Sequence, residues 1–158
     1  MVRITALRLT FHGSIVLLLG MLVGFPGFLF GMRHTMDNEI RLFYRQSHLI
    51  PVMQGVWMIA IAGSLSHLSL TERFTSWLGW SLVVAAYALV LAQATWGTAL
   101  AIGWTEAHRK PVMSSALGPL YAGSLIIVAI GSLIGTYIVL RGAYDALRDS
   151  THPIRLLH

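Results

Sequence analysis

Four stretches of this chain are long enough to cross a bilayer and hold almost no charge, and no other feature constrains the fold as tightly. Between Arg8 and Arg33 the only Asp, Glu, Lys, Arg or His is His12, and between His48 and Glu72 it is His67. Phe74 to Thr105 and Pro111 to Leu140 contain none. A spanning helix needs about 20 mostly apolar residues, and each stretch supplies them. Helices are therefore expected near residues 9–32, 48–70, 76–104 and 115–141, forming one transmembrane domain over residues 1–158. The fold class is all-α, a four-helix transmembrane bundle. Composition agrees: Asp, Glu, Lys and Arg make up 11 % of the 158 residues, against about 25 % in soluble domains. That is too little charge to hydrate the surface of a soluble domain, so lipid must cover it.

The first stretch opens like a secretory signal, with Arg3 and Arg8 ahead of an apolar run. The run is about twice the usual length of a signal core and ends in aromatics and Arg33 without a small-residue cleavage site, so it is expected to remain. Four crossings put both termini and the second connection on one side with Arg3, Arg8, Arg73, Arg141, Arg148 and Arg155. Arg33, Arg41, Arg45, Arg109 and Lys110 fall on the other. Six against five does not decide orientation by positive charge, and the charged C-terminal tail tilts the expectation towards cytoplasmic termini in a bacterial-type inner membrane. The net charge of +5 is spread over ends and connections, so no basic tract offers a nucleic-acid footprint. Cysteine is absent, which excludes disulfide scaffolds, iron–sulfur clusters, thiolate haem ligation and covalent haem attachment through C-x-x-C-H. The longest connection, residues 33–47, carries Asp37, Glu39, Arg41 and Arg45 and reads as a short interfacial element. Connections this small leave no room for a soluble active site, so any chemistry belongs among the helices.

A polar side chain inside a span is costly, which makes each one a functional candidate. These are His12, His48, Gln54, His67 and Gln93, with Tyr87, Tyr121 and Tyr137 behind them. His48 stands at the entrance of the second span, three residues before Pro51, which is tolerated in a first turn because its missing N–H would be unpaired there. The alternative for His48 is an interfacial hydrogen bond. Gln54 and Gln93 can each donate and accept towards a ligand, or join two helices by a bond of roughly 1 kcal/mol. Gly55 permits close approach of a flat ligand or of another helix. His12 either snorkels to the headgroups or binds a ligand. His67 lies nineteen residues after His48, roughly 28 Å along a helix, so the two do not share a metal within a subunit. His34, His108, His152 and His158 read as solvated, and Trp57, Trp77, Trp80, Trp96 and Trp104 as mostly interfacial aromatics. Glycines four apart (Gly20 with Gly24, Gly27 with Gly31, Gly131 with Gly135) suit close helix packing and an oligomer. No phosphate loop, GxGxxG, GxSxG or HExxH occurs, and no carboxylate lies inside an expected span, which argues against proton pumps and carboxylate-bridged di-iron enzymes. Few, short helices without repeats argue against a transporter. Imidazoles, amides and phenols suit a bound cofactor better than side-chain acid–base chemistry.

Read in order, these residues resemble the styrene oxide isomerase family of small membrane proteins that bind haem b. His12-Gly13 matches the opening of its first span. Arg45-Gln46-Ser47-His48, Pro51 and Gln54-Gly55 match its second-helix signature, in which a histidine precedes a proline by three and an amide-glycine pair by six. Trp77-Leu78-Gly79 is similar to the start of its third helix, and Tyr144-Asp145-Ala146-Leu147 to its C-terminal end. The resemblance implies a trimer with non-covalent ferric haem b between subunits. It implies His48 as the iron ligand, Gly55 beside the cofactor, and Gln54 and Gln93 facing the substrate. The implied reaction is Lewis-acid rearrangement of a hydrophobic aryl epoxide to an aldehyde in a dry pocket. Two positions depart from the family: Gln54 stands where it has asparagine, and Gln93 where it has a pocket tyrosine. Each keeps a hydrogen-bonding group but moves it. The alternative readings are a haem protein of the same fold with another reaction, or a non-catalytic membrane subunit.

Overall fold

The computed structural model describes residues 2–31, 38–101 and 112–151. Four helices hold nearly all of them: α1 (Val2–Gly31), α2 (Asn38–Ser64), α3 (Glu72–Ala101) and α4 (Gly118–Thr151). Single turns of 3-10 helix, Leu65–His67 and Val112–Ser114, follow α2 and precede α4. No strand occurs among the described residues. Each helix contains a segment long and apolar enough to span a bilayer, because helices satisfy their own backbone groups where water cannot. The chain is an integral membrane protein. His34, Trp104, His108, His152 and His158 lie outside the described residues, as do Arg33, Arg109, Lys110 and Arg155.

Helix limits differ from expectation mainly by extension. α1 begins at Val2 and α4 runs to Thr151, since nothing at Arg3, Arg8 or Asp145 breaks a helix and the next proline is Pro153. α2 begins at Asn38, so the second half of the expected interfacial element is instead the first turns of that helix. Pro51 is thereby corrected from a first-turn to an interior position, where its missing N–H leaves the Ser47 carbonyl without the usual partner four residues on. α3 starts at Glu72. Thr71 Oγ1 accepts from the Phe74 backbone N–H at 3.4 Å, an N-cap, and Glu72 in the first turn complements the positive end of the helix dipole.

The helices pack as two antiparallel pairs, α1 with α2 and α3 with α4, joined through the α1–α3 seam. Glycine makes the first pair possible. A Cβ at Gly55 would meet the Gly13 carbonyl oxygen at 2.6 Å and Leu17 Cβ at 2.7 Å, so the two backbones touch. Gly131 plays the same part between α4 and α3, facing the Ser81 carbonyl and Ala85, which gives that glycine pair a use inside the bundle. The core at the seam is Leu9, Val16, Met58, Leu78 and Leu82, all fully buried. Thr5 packs on Gly79, and the Ser69 N–H donates to the Gly142 carbonyl at 3.2 Å. The start of α1, the start of α3 and the last turns of α4 therefore share one end of the bundle.

Candidate functional site

Midway along the α1–α2 interface the missing side chain of Gly20 lets α2 come close: a Cβ there would meet Val52 N at 2.9 Å, Pro51 Cβ at 3.0 Å and His48 O at 3.1 Å. Contact at that distance brings the Gly20 carbonyl within 3.0 Å of His48 Nδ1. A carbonyl oxygen only accepts, so Nδ1 must carry the proton and donate. In the uncharged ring Nε2 is then left with its lone pair, on a residue exposed at the outer side of α2. A histidine held by one nitrogen against a backbone carbonyl, with the other free, is the arrangement seen behind metal-bound imidazoles. Among the described residues no group of three or more His, Asp or Glu could hold a metal ion alone. A single histidine suits a metal that brings its own equatorial ligands, as haem iron does.

On the next face of α2, buried Ser47 donates its hydroxyl to Gln93 Oε1 across to α3, at 2.7 Å. Ser47, Gln93, Gly20 and Pro51 line a cavity of about 460 Å³, closed further by Phe43 and Val90. This volume falls in the range of small-molecule pockets, about 300–1,000 Å³, and the lining is almost entirely apolar. Because Ser47 occupies the amide oxygen, the Gln93 amide nitrogen is the group left to face a ligand. That nitrogen makes no hydrogen bond among the described residues, and Gln93 lines the cavity. The cavity therefore offers donors to an oxygen that accepts. Gln93 does both things weighed for it, lining a cavity and joining two helices.

The remaining sequence candidates distribute unevenly. Gln54 is half-buried and does not line this cavity, yet its Nε2 is enclosed without any hydrogen-bond partner. An enclosed amide N–H left unpaired costs about 1–3 kcal/mol, so Gln54 carries an energetic penalty that its neighbours in the fold offset. Gly55 backs onto Gly13 and Leu17 of α1. Of its two readings, close approach of another helix is the one observed, and no room for a flat ligand exists on that side. His67 ends the 3-10 turn and is exposed. Tyr137 is exposed on α4, and Tyr121 sits against Trp96, itself edge-on to Phe43 at 5.2 Å.

His12 joins a second constellation on the other side of the seam. Its Nδ1 lies 2.9 Å from the Tyr87 hydroxyl, and the rings meet edge-to-face at 5.6 Å. The sequence singled out His12 and Tyr87 separately and could not pair residues 75 positions apart. Ser47 and Gly20 were missed as functional residues altogether. Ser47 stood inside the second-helix signature without a role, and a polar residue beside the key histidine was the available signal. Nothing in the sequence marks a backbone carbonyl as a partner.

No curated protein and no solved structure matches this chain significantly. The family model for styrene oxide isomerase, in contrast, matches residues 5–144, a stretch that begins on α1 and ends on α4 and so takes in His48, its Gly20 support and the Gln93 cavity alike. The chain belongs to the styrene oxide isomerase family.

Proposed function

We propose that this protein is a haem-b-dependent membrane isomerase that converts hydrophobic aryl epoxides to aldehydes. The observation that carries the reading is the His48 ring, pinned through Nδ1–H to the Gly20 carbonyl and presenting Nε2 outward. His48 is the residue that would hold the haem, without covalent attachment since no cysteine exists. When bound, ferric haem supplies a Lewis acid and makes a side-chain acid unnecessary. The exposure of His48 on the outer side of α2 supports a site completed by a neighbouring subunit, in a trimer of the kind the family resemblance implies. The charged C-terminal tail supports cytoplasmic termini in a bacterial-type inner membrane.

The chain's own residues then have three tasks. The apolar walls around Phe43, Pro51 and Val90 bind an oily substrate and exclude water, which would otherwise trap the opened ring as a diol. The Gln93 amide, oriented by Ser47, donates to the epoxide oxygen as charge develops on it. The helices hold the substrate while the benzylic C–O bond breaks, a hydride moves from the oxygen-bearing carbon to the benzylic carbon, and the carbonyl forms. Atoms and electrons balance within the substrate, so neither water, reductant nor oxidant is consumed.

Purified ferric protein given aryl epoxides should form aldehydes without reductant, and reduction by dithionite should change the rate. A well-folded, haem-loaded preparation that converts no member of a broad epoxide panel overturns the isomerase reading. Absence of a Soret band after haem supplementation overturns the haem reading itself.

A further inference from the structure

The groove between α1, α3 and α4 has no part in that reaction, and its three features match the three parts of one kind of molecule. It encloses about 550 Å³, lined by His12, Trp80, Val84, Tyr87, Leu91 and Ile127. From Trp80 to Leu91 the α3 side rises roughly 16 Å, a trench of apolar wall open to the membrane. At its outer end Arg8, one turn before His12 on the same side of α1, lays its guanidinium over the Trp80 ring at 4.6 Å. Arg8 forms no ion pair among the described residues, so its charge has no counter-ion there.

The hydrogen bond between His12 and Tyr87 supplies the third feature. An uncharged imidazole has one N–H and a phenol one O–H, and the 2.9 Å contact uses only one of them. If the phenol donates to Nδ1, the ring keeps Nε2–H; if Nδ1–H donates, the phenol keeps its O–H. In either tautomer one donor is left over, and neither residue has another hydrogen-bond partner among the described residues. In hydrocarbon a spare donor needs an acceptor.

We propose that this groove is a binding site for an anionic phospholipid. The phosphate neutralises Arg8, a glycerol ester carbonyl accepts from the spare donor of the His12–Tyr87 pair, and an acyl chain lies along Val84, Leu91 and Ile127. Arg8 selects for net negative charge, because a zwitterionic headgroup brings its own ammonium to the phosphate.

The test uses delipidated full-length protein in detergent, with thermal unfolding followed as phosphatidylglycerol or phosphatidylcholine is added. Phosphatidylglycerol should stabilise more than phosphatidylcholine. Arg8→Gln should weaken the phosphatidylglycerol effect about fivefold and leave the phosphatidylcholine effect in place. The double variant His12→Leu/Tyr87→Phe should weaken both. Equal stabilisation by the two lipids, or an Arg8→Gln protein that still prefers phosphatidylglycerol, overturns the proposal. A change of oligomer size in the variants without any lipid preference in the wild type identifies the groove as a subunit contact and overturns it too. Should the variants not fold, the wild type decides: brominated phosphatidylglycerol must quench tryptophan fluorescence more than brominated phosphatidylcholine at equal mole fraction, and equal quenching overturns the assignment.

Discussion

His48 and His12 both reach a partner on another helix through Nδ1, at 3.0 and 2.9 Å, and they end up with different chemistry. The partner of His48 is a backbone carbonyl, which cannot donate. One tautomer is therefore enforced, Nε2 keeps its lone pair, and the ring is orientated before any ligand arrives. The partner of His12 is a phenol, which donates or accepts equally well. Both tautomers are available there, so Nε2 is not committed to keeping its lone pair, and the pair as a whole retains a spare donor in either one. Equal distances, in other words, leave one histidine with a single enforced tautomer and the other with two. The acceptor decides.

Substitutions can break this contrast. The largest effect is expected from His48→Ala, which should lose haem and its Soret band, whereas His12→Ala and His67→Ala should keep both. A normal Soret band in His48→Ala overturns the ligand assignment. Next comes the carbonyl that orients the ring. Gly20→Ala places a methyl group 2.9–3.1 Å from Val52 N, Pro51 Cβ and His48 O, forcing α1 and α2 apart. Haem affinity should fall by about 10- to 100-fold, the usual cost of losing a partner behind a metal ligand. Gly63→Ala, with nothing within 4 Å of its Cβ, is the control and should leave haem titration unchanged. A third, smaller effect belongs to the Gln93 cavity. Ser47→Ala frees the amide to rotate, so turnover should drop several-fold, about 1 kcal/mol in the barrier, with haem content intact and Ser47→Thr restoring part of the rate. Loss of haem and turnover together would place Ser47 in the packing alone. The smallest effect is Tyr87→Phe, which removes an interhelical hydrogen bond worth about 0.6 kcal/mol in membranes. Thermal unfolding should shift only slightly and the Soret band not at all.

Legibility from sequence divides along the same lines. The four spans were readable because charge-free length is a one-dimensional property that lipid enforces. The helix ends were less so, since α2 continues upstream through Glu39, Arg41 and Arg45 to Asn38, and charged residues at a membrane boundary do not stop a helix. The His48, Pro51 and Gln54 signature was visible as a spacing. The part of it given to Gly55 was read in two ways, and only packing against Gly13 and Leu17 chose between them. Gln54 and Gln93 looked equivalent as amides in apolar runs, yet one lines the cavity and the other holds an unpaired, enclosed N–H.

The sequence by itself determined that the chain is helical, has four stretches long and apolar enough to cross a membrane, ligates no metal through a cysteine thiolate and carries a family signature around His48. These follow from composition and from intervals along the chain. Only the tertiary structure decided which partner each polar group meets: Gly20 for His48, Ser47 for Gln93, Tyr87 for His12, separated by 28, 46 and 75 residues. The physical reason is that helices apolar on nearly every face carry no amphipathic pattern to mark their inner side. Their rotation is set by where small residues let backbones touch, as at Gly13, Gly20 and Gly55, and that rotation chooses which polar groups meet.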